Sequence, residues 1–366
     1  MMEEQEMLNN TIELPRISNN RGTKYTFIGY PYNLLKACQM PRIHDVFLDC
    51  VVYLYRTKDD AEDGERAGGS GFVVAIPFKS DIKSGMGVHF VVTNRHVIKE
   101  APVVRLNTKD GNVSVIDLKE EQWIAHPDGD DIAVCAINLD RGTHKFAAVS
   151  PSNFITKELI DKEDIGIGDD IFVVGRFINH EGIQKNSPSV RFGSIAQMPG
   201  DKIRQNTGFE QESFLIEAKS IGGYSGAPVF LHILPFSSRP EKYEPSKLKV
   251  SSFRGPWLLG IDWGHLTSID EVVDFSGDRI GAHGNFVKSN TGMMCVVPAW
   301  KLSELFESVE VTEFMDNVEQ KWIKDKAWAP GQTDSKNHSI DLSPLENPDH
   351  REDFNNLLDA AVKGKQ

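Results

Sequence analysis

Apolar runs rich in Val, Ile and aromatic residues recur along residues 46–298, each closed by Gly, Asn, Asp or Pro. Short runs of that kind predict strands rather than helices. Residues 46–55, from Val46 to Tyr55, predict a first strand, and residues 71–78 and 88–93 predict the next two. Residues 103–106 and 113–118 predict a hairpin that turns at Lys109-Asp110-Gly111-Asn112. A further strand begins at Ile132, and the charged residues 58–67 predict a surface loop. Evenly spaced short strands imply an all-β chain of closed barrels, at about residues 45–145 and 160–300.

Outside this region the pattern changes. Residues 1–44 form a polar extension broken by Pro15, Pro31 and Pro41, with a short helix expected at 32–38. A helix is expected at 300–308, where Leu302, Leu305 and Phe306 share a face. Residues 311–366 predict a charged stretch, a Pro330-Gly331 turn and an amphipathic helix at 348–363 carrying Phe354, Leu357, Leu358 and Ala361. Two insertions interrupt the second barrel, at 235–255 and 265–290. Each reads as a functional loop or a surface excursion.

Composition narrows the class. A hydrophobic content of 40 % suits a packed core, and a net charge of -13 disfavours nucleic acid or an anionic membrane as the main partner. The acidic start, Met1-Met2-Glu3-Glu4-Gln5-Glu6, lacks the pattern of a secretory signal, and no run is apolar enough to span a bilayer. Cys38, Cys50, Cys135 and Cys295 are scattered among apolar neighbours and read as reduced thiols, which points to the cytoplasm.

Three short segments carry chemistry. Thr93-Asn94-Arg95-His96-Val97 holds a histidine, Asp130-Asp131-Ile132-Ala133-Val134 an aspartate, and Gly222-Gly223-Tyr224-Ser225-Gly226-Ala227 a serine. A serine hydroxyl is a weak nucleophile at neutral pH and needs an adjacent base. Histidine suits that task, and a carboxylate on its other nitrogen sets the tautomer. Asp131, directly before the apolar run, is the better candidate; Asp130 then reads as a solvated neighbour. Glycine allows a tight turn that aims backbone N–H groups at an oxyanion, and Gly223 and Ser225 are the expected donors. His126, His180, His265 and His283 lack metal-ligand spacing and read as loop residues, His265 near the cleft. No metal or cofactor is called for. An α/β-hydrolase is excluded, because Ala227 occupies its second glycine position and the order here is histidine, acid, serine.

In sequence order these segments resemble a trypsin-like serine protease, closest in style to the HtrA (Deg) branch. Gly69-Ser70-Gly71-Phe72-Val73-Val74 resembles that family's glycine-led second strand. Ile167-Gly168, Val173-Val174-Gly175, Phe192-Gly193-Ser194-Ile195, Phe214-Leu215-Ile216-Glu217, Leu259-Gly260-Ile261 and Cys295-Val296-Val297-Pro298 are similar to strands of its second barrel. The resemblance implies two six-stranded antiparallel barrels, a protease domain over 45–310, and a catalytic His96, Asp131 and Ser225. It implies a protein or peptide substrate paired along Asp262-Trp263-Gly264. It also places Lys219 at the specificity pocket, where a lysine favours an acidic side chain unless it points elsewhere. Tyr224 replaces the usual acidic or amide residue, which suggests no zymogen cleavage step. Residues 311–366 are too few for a PDZ domain. The alternative is a latent or silent protease fold that acts through a regulatory protein partner.

Overall fold

The computed structural model describes residues 43–80, 86–177, 182–205, 208–218, 222–232, 256–273, 276 and 285–328. They belong to a compact unit, Ile43–Gln366. The expected helices at 32–38 and 348–363, Cys38, His180, Lys219, His283 and the 235–255 insertion lie outside the described residues.

In chain order the elements are α1 (Asp45–Asp49), β1 (Val51–Tyr55), α2 (Lys58–Asp63), β2 (Ala67–Pro77), β3 (Gly87–Thr93), α3 (Arg95–Ile98), β4 (Val103–Asn107), β5 (Val113–Ile116), β6 (Ile124–Ala125) and β7 (Ala133–Ile137). They continue with α4 (Lys157–Glu163), β8 (Asp170–Gly175), β9 (Ser189–Gln197), β10 (Ile203–Arg204), β11 (Glu210–Gln211), β12 (Phe214–Glu217), β13 (Pro228–Leu231), β14 (Trp257–Val272), β15 (Asn285–Pro298), α5 (Ala299–Phe306) and α6 (Val309–Trp328).

Two early expectations need correction. Residues 46–49 are helical rather than extended. The His44 ring accepts the Val46 N–H at 3.2 Å and caps α1. That turn drives Phe47 inward, where its ring meets Phe172 at 5.2 Å and Phe230 at 5.0 Å. Residues 58–63 are α2 rather than loop. The Thr57 hydroxyl accepts the Asp60 N–H at 3.1 Å, Asp59 and Asp60 sit in the first turn, and Gly64 ends the helix in the left-handed region at φ +73.

The second half closes into a barrel of six strands, ordered β12-β15-β14-β13-β8-β9. The first half is a seven-stranded sheet, ordered β5-β4-β1-β2-β3-β7-β6, where a second six-stranded barrel was expected. Its edge strands, β5 and β6, are joined through a 3-10 turn at Glu120–Gln122. Buried Leu118 and Trp123 occupy that junction, and the Trp123 indole donates to the Pro102 carbonyl at 3.3 Å. Val52, Leu54, Val73, Val91 and Leu106 pack with them in one buried cluster.

The 265–290 insertion is not a loop excursion over its described part. β14 and β15 continue as a paired ribbon out to Val272 opposite Asn285. Thr267 and Ile269 on β14, and Val287 and Thr291 on β15, are β-formers that favour that extension. The chain then enters α5, within the expected 300–308 stretch, and buries Trp300, Leu302 and Leu305. Where a charged stretch was expected, α6 forms and straps the first sheet. Phe90 meets Phe306 and Phe314 at 5.3 and 6.0 Å, and Phe78 meets Trp322 at 5.4 Å. The buried Glu319 carboxylate accepts the Ser80 N–H at 2.7 Å, the Ser80 hydroxyl and the Lys79 N–H at 3.3 Å. Among the described residues no helix is long and apolar enough to cross a membrane.

Candidate active site

His96 stands in α3, at the end of β3. Asn94 caps that short helix with extended backbone, and its carbonyl accepts the Val97 N–H at 3.1 Å. Its side-chain amide reaches across to donate to the Asp131 carbonyl at 2.8 Å. The aspartate is gripped at every polar atom. Its N–H donates to Gln211 Oε1 at 2.7 Å, Oδ1 accepts the His96 backbone N–H at 2.9 Å, and Oδ2 lies 2.6 Å from His96 Nδ1. The Asp131 side chain is 8 % exposed and that of His96 is 48 % exposed. A buried carboxylate therefore holds one edge of the imidazole while the other edge faces outward. A short, charge-assisted contact of this kind fixes ring orientation.

The serine loop is built against the same strands. Gly223 and Gly226 take φ +97 and +86, angles that side-chain-bearing residues rarely adopt. A methyl on Gly226 would lie 2.0 Å from the Ser70 carbonyl oxygen, so only hydrogen fits there. Ser70 is the loop's anchor. Its N–H donates to the Ser225 carbonyl at 2.8 Å, its hydroxyl donates to the Gly223 carbonyl at 2.7 Å, and that hydroxyl accepts the Arg176 N–H at 2.9 Å. Tyr224 is fully buried, with its hydroxyl 2.5 Å from Ser189 Oγ and the Arg191 guanidinium 5.3 Å from its ring. A methyl on Gly69 would meet Val97 Cγ1 at 2.9 Å and the Ser225 carbonyl at 3.1 Å. The histidine turn and the serine loop thus share one wall, a glycine thick.

The structure brings His96 and Asp131 into contact and sets the Ser225 loop beside them. Among the described residues Ser225 Oγ and His96 Nε2 make no hydrogen bond, and the Gly223 and Ser225 N–H groups donate to none.

The other candidates separate clearly. β13 accompanies β14 as far as Ile261, opposite Pro228. Asp262 then donates its N–H to the Ala227 carbonyl at 3.0 Å, and its carbonyl accepts the Gly226 N–H at 2.8 Å. Asp262 is therefore a buried structural neighbour of the serine loop, its carboxylate accepting the Gly264 N–H at 3.0 Å. The Trp263 indole donates to Ser213 Oγ at 3.0 Å, and Gly264 faces open space. From Trp263 outward β14 pairs, among the described residues, with β15 alone. His265 lies on this ribbon, and its imidazole is held below the ordinary histidine range by burial and by Lys288.

Asp130 is not the solvated neighbour expected. Its side chain is 5 % exposed, with Oδ2 3.5 Å from His126 Nδ1 and 3.6 Å from Lys301 Nζ. Burial pushes its carboxyl above the usual range, against the opposing pull of Lys301 and His126. His126 lies in the loop between β6 and β7 and is likewise buried. A buried charge survives where partners surround it, and its lysine partner comes from α5, far along the chain. Ser70, Gln211 and Arg176 also escaped sequence reading, since nothing local marks them. Among the described residues no group of three or more His, Cys, Asp or Glu side chains could hold a metal ion.

Comparison with known proteins follows this geometry. The family model described as "Trypsin-like peptidase domain" matches residues 69–232, so over that stretch the chain carries a trypsin-like peptidase domain. No curated protein matches the chain. Among solved structures it is similar to the MamO protease domain from Magnetospirillum magneticum in its apo form, at 15 % identity and TM-score 0.40, covering 70 % of this chain and 96 % of that one. It is also similar to the HtrA-type protease AlgW with tripeptide, at 16 % identity and TM-score 0.39, covering 73 % of this chain and 62 % of the AlgW chain. A third is Deg5, at 16 % identity and TM-score 0.34, covering 63 % of this chain and 84 % of that one.

Proposed function

We propose that this protein is a serine endopeptidase of HtrA-like style, working through Ser225, His96 and Asp131. The observation that carries the reading is the 2.6 Å contact between His96 Nδ1 and the buried Asp131 carboxylate, beside a serine loop walled off by Gly69 alone. Ser225 Oγ attacks the peptide carbonyl carbon while His96 Nε2 takes its proton. The C–N bond then breaks, and the imidazolium gives that proton to the leaving amine. Water, deprotonated in turn by His96, attacks the acyl ester, and Ser225 Oγ regains the proton. The Gly223 and Ser225 N–H groups, uncommitted among the described residues, suit the oxyanion of both tetrahedral intermediates. The edge of β14 beyond Asp262, unpaired among the described residues, suits an extended peptide, held by strand pairing. Cys50, Cys135 and Cys295 are free and buried, their thiols pushed up by burial, which supports a reducing compartment such as the cytoplasm.

A second reading has its own observation. Ser225 Oγ and His96 Nε2 are not hydrogen-bonded, which favours a resting site completed by substrate or by a regulatory protein partner. Labelling with a fluorophosphonate probe separates the two. Wild type should label while Ser225→Ala and His96→Ala do not. A folded wild type that never labels, alone or with unfolded casein present, would sink the constitutive reading.

A further inference from the structure

We propose that Lys301, on α5, is a positioning residue for the Asp131–His96 pair, and that α5 grips the aspartate turn from both flanks. The inference rests on the catalytic reading given above. Asp130 and Asp131 are consecutive, both are buried, and each has its own partner: His96 for Asp131, Lys301 and His126 for Asp130. Two adjacent buried carboxylates repel one another unless a cation compensates. Lys301, 17 % exposed at its side chain, supplies that cation.

Lys301 is itself fixed. Its ammonium lies 2.8 Å from Glu304, one turn along α5, and the Glu304 carboxylate lies 3.8 Å from His126 Nε2. His126 Nδ1 accepts the Asp128 N–H at 3.3 Å and lies 3.5 Å from Asp130 Oδ2, a proximity without a hydrogen bond. The four groups close a ring around the peptide that precedes Asp131. The second grip comes from the residue before. Trp300 Nε1 donates to Glu212 at 3.4 Å, and Lys157 lies 3.5 Å from that carboxylate. Glu212 follows Gln211, whose side-chain Oε1 accepts the Asp131 N–H. Trp300 and Lys301 thus hold the two segments between which Asp131 is suspended. Because α5 leaves the barrel directly at Pro298, opposite Gly260, its placement is set by the half that carries Ser225. The contact therefore ties the acid of one half to the nucleophile of the other.

The test compares wild type, Lys301→Met, Lys301→Arg and Trp300→Phe in the full chain. Three quantities are measured: kcat and KM per fluorophosphonate-titrated site, the NMR resonance of the proton between His96 and Asp131, and Tm. Lys301→Met should lower kcat about tenfold or more at unchanged KM, since small misplacements of a catalytic pair cost about 10²-fold. The His96 resonance should move, and Lys301→Arg should restore both. Trp300→Phe keeps the buried ring and should show a smaller change of the same kind, which serves if Lys301→Met does not fold. A fall in Tm with kcat and the resonance unchanged overturns the proposal and leaves Lys301 a packing residue. If wild type never labels, the endopeptidase reading fails, and the resonance alone still decides whether Lys301 positions His96.

Discussion

Replacing Ser70 by alanine strips the serine loop of its anchor. The hydroxyl is buried and serves two groups, donating to the Gly223 carbonyl at 2.7 Å and accepting the Arg176 N–H at 2.9 Å. Alanine removes both of these hydrogen bonds. Each stranded buried group costs about 1–3 kcal/mol, so the change costs about 2–6 kcal/mol in all. At about 2–4 °C per kcal/mol for a domain of this size class, Tm should fall by about 4–24 °C. The rate should fall further than the stability loss alone explains. The Gly223–Tyr224 peptide, which links the peptides bearing the two proposed oxyanion donors, loses the bond that orients it, and a misaimed oxyanion donor costs about 10²–10³ in kcat. The assay is differential scanning calorimetry beside kcat/KM on the titrated, folded fraction well below Tm. An unchanged Tm would refute the claim that Ser70 satisfies two buried groups. A lowered Tm with unchanged kcat per titrated site would refute the link from Ser70 to the oxyanion peptide.

Three further outcomes follow from the same geometry. Gln211→Leu leaves the Asp131 N–H buried without its 2.7 Å acceptor, and urea denaturation should show a loss of about 1–3 kcal/mol. Glu319 titrates in the opposite sense to Asp130. Burial raises its pKa, but the hydrogen bonds from Ser80 and Lys79 outweigh burial and hold the carboxyl below a glutamate's ordinary 4.5. Its folded value is depressed, so its contribution is present above the ordinary value and is lost as pH falls through the folded one. Hydrogen exchange along α6 should therefore quicken on acidification below about pH 4.5, and Glu319→Gln should lose that dependence. Peptides long enough to run along β14 past Gly264 should be cleaved faster than truncated ones, and N-methylation of alternate amides should remove the gain; equal rates for all lengths would exclude pairing on that edge.

Legibility followed sequence distance. His96 and Ser225 stand in short segments whose neighbours, Asn94 and the glycines, are needed for the local turns that present them, and those turns form as expected. Asp131 was separable from Asp130 by its register before Ile132, yet the role of Asp130 was misjudged, because its cationic partner Lys301 lies on a helix about 170 residues away. α1 and α2 were missed for a different reason. Both are nucleated by a side-chain cap, His44 or Thr57, that outweighs the apolar or charged pattern of the segment. The long ribbon of β14 and β15 was hidden by glycines and polar residues that read as loop.

Local grammar settled the strand-rich character of the chain, the segments bearing histidine, aspartate and serine, and the glycine turns, because periodicity and backbone steric limits act over a few residues. Folding in three dimensions decided which barrel closes, which carboxylate faces His96 and which faces α5, and that Ser70, Gln211 and Lys301 support the site. Those outcomes depend on burial and on pairing between groups tens to hundreds of residues apart. A buried polar group is tolerated only with its partner in place.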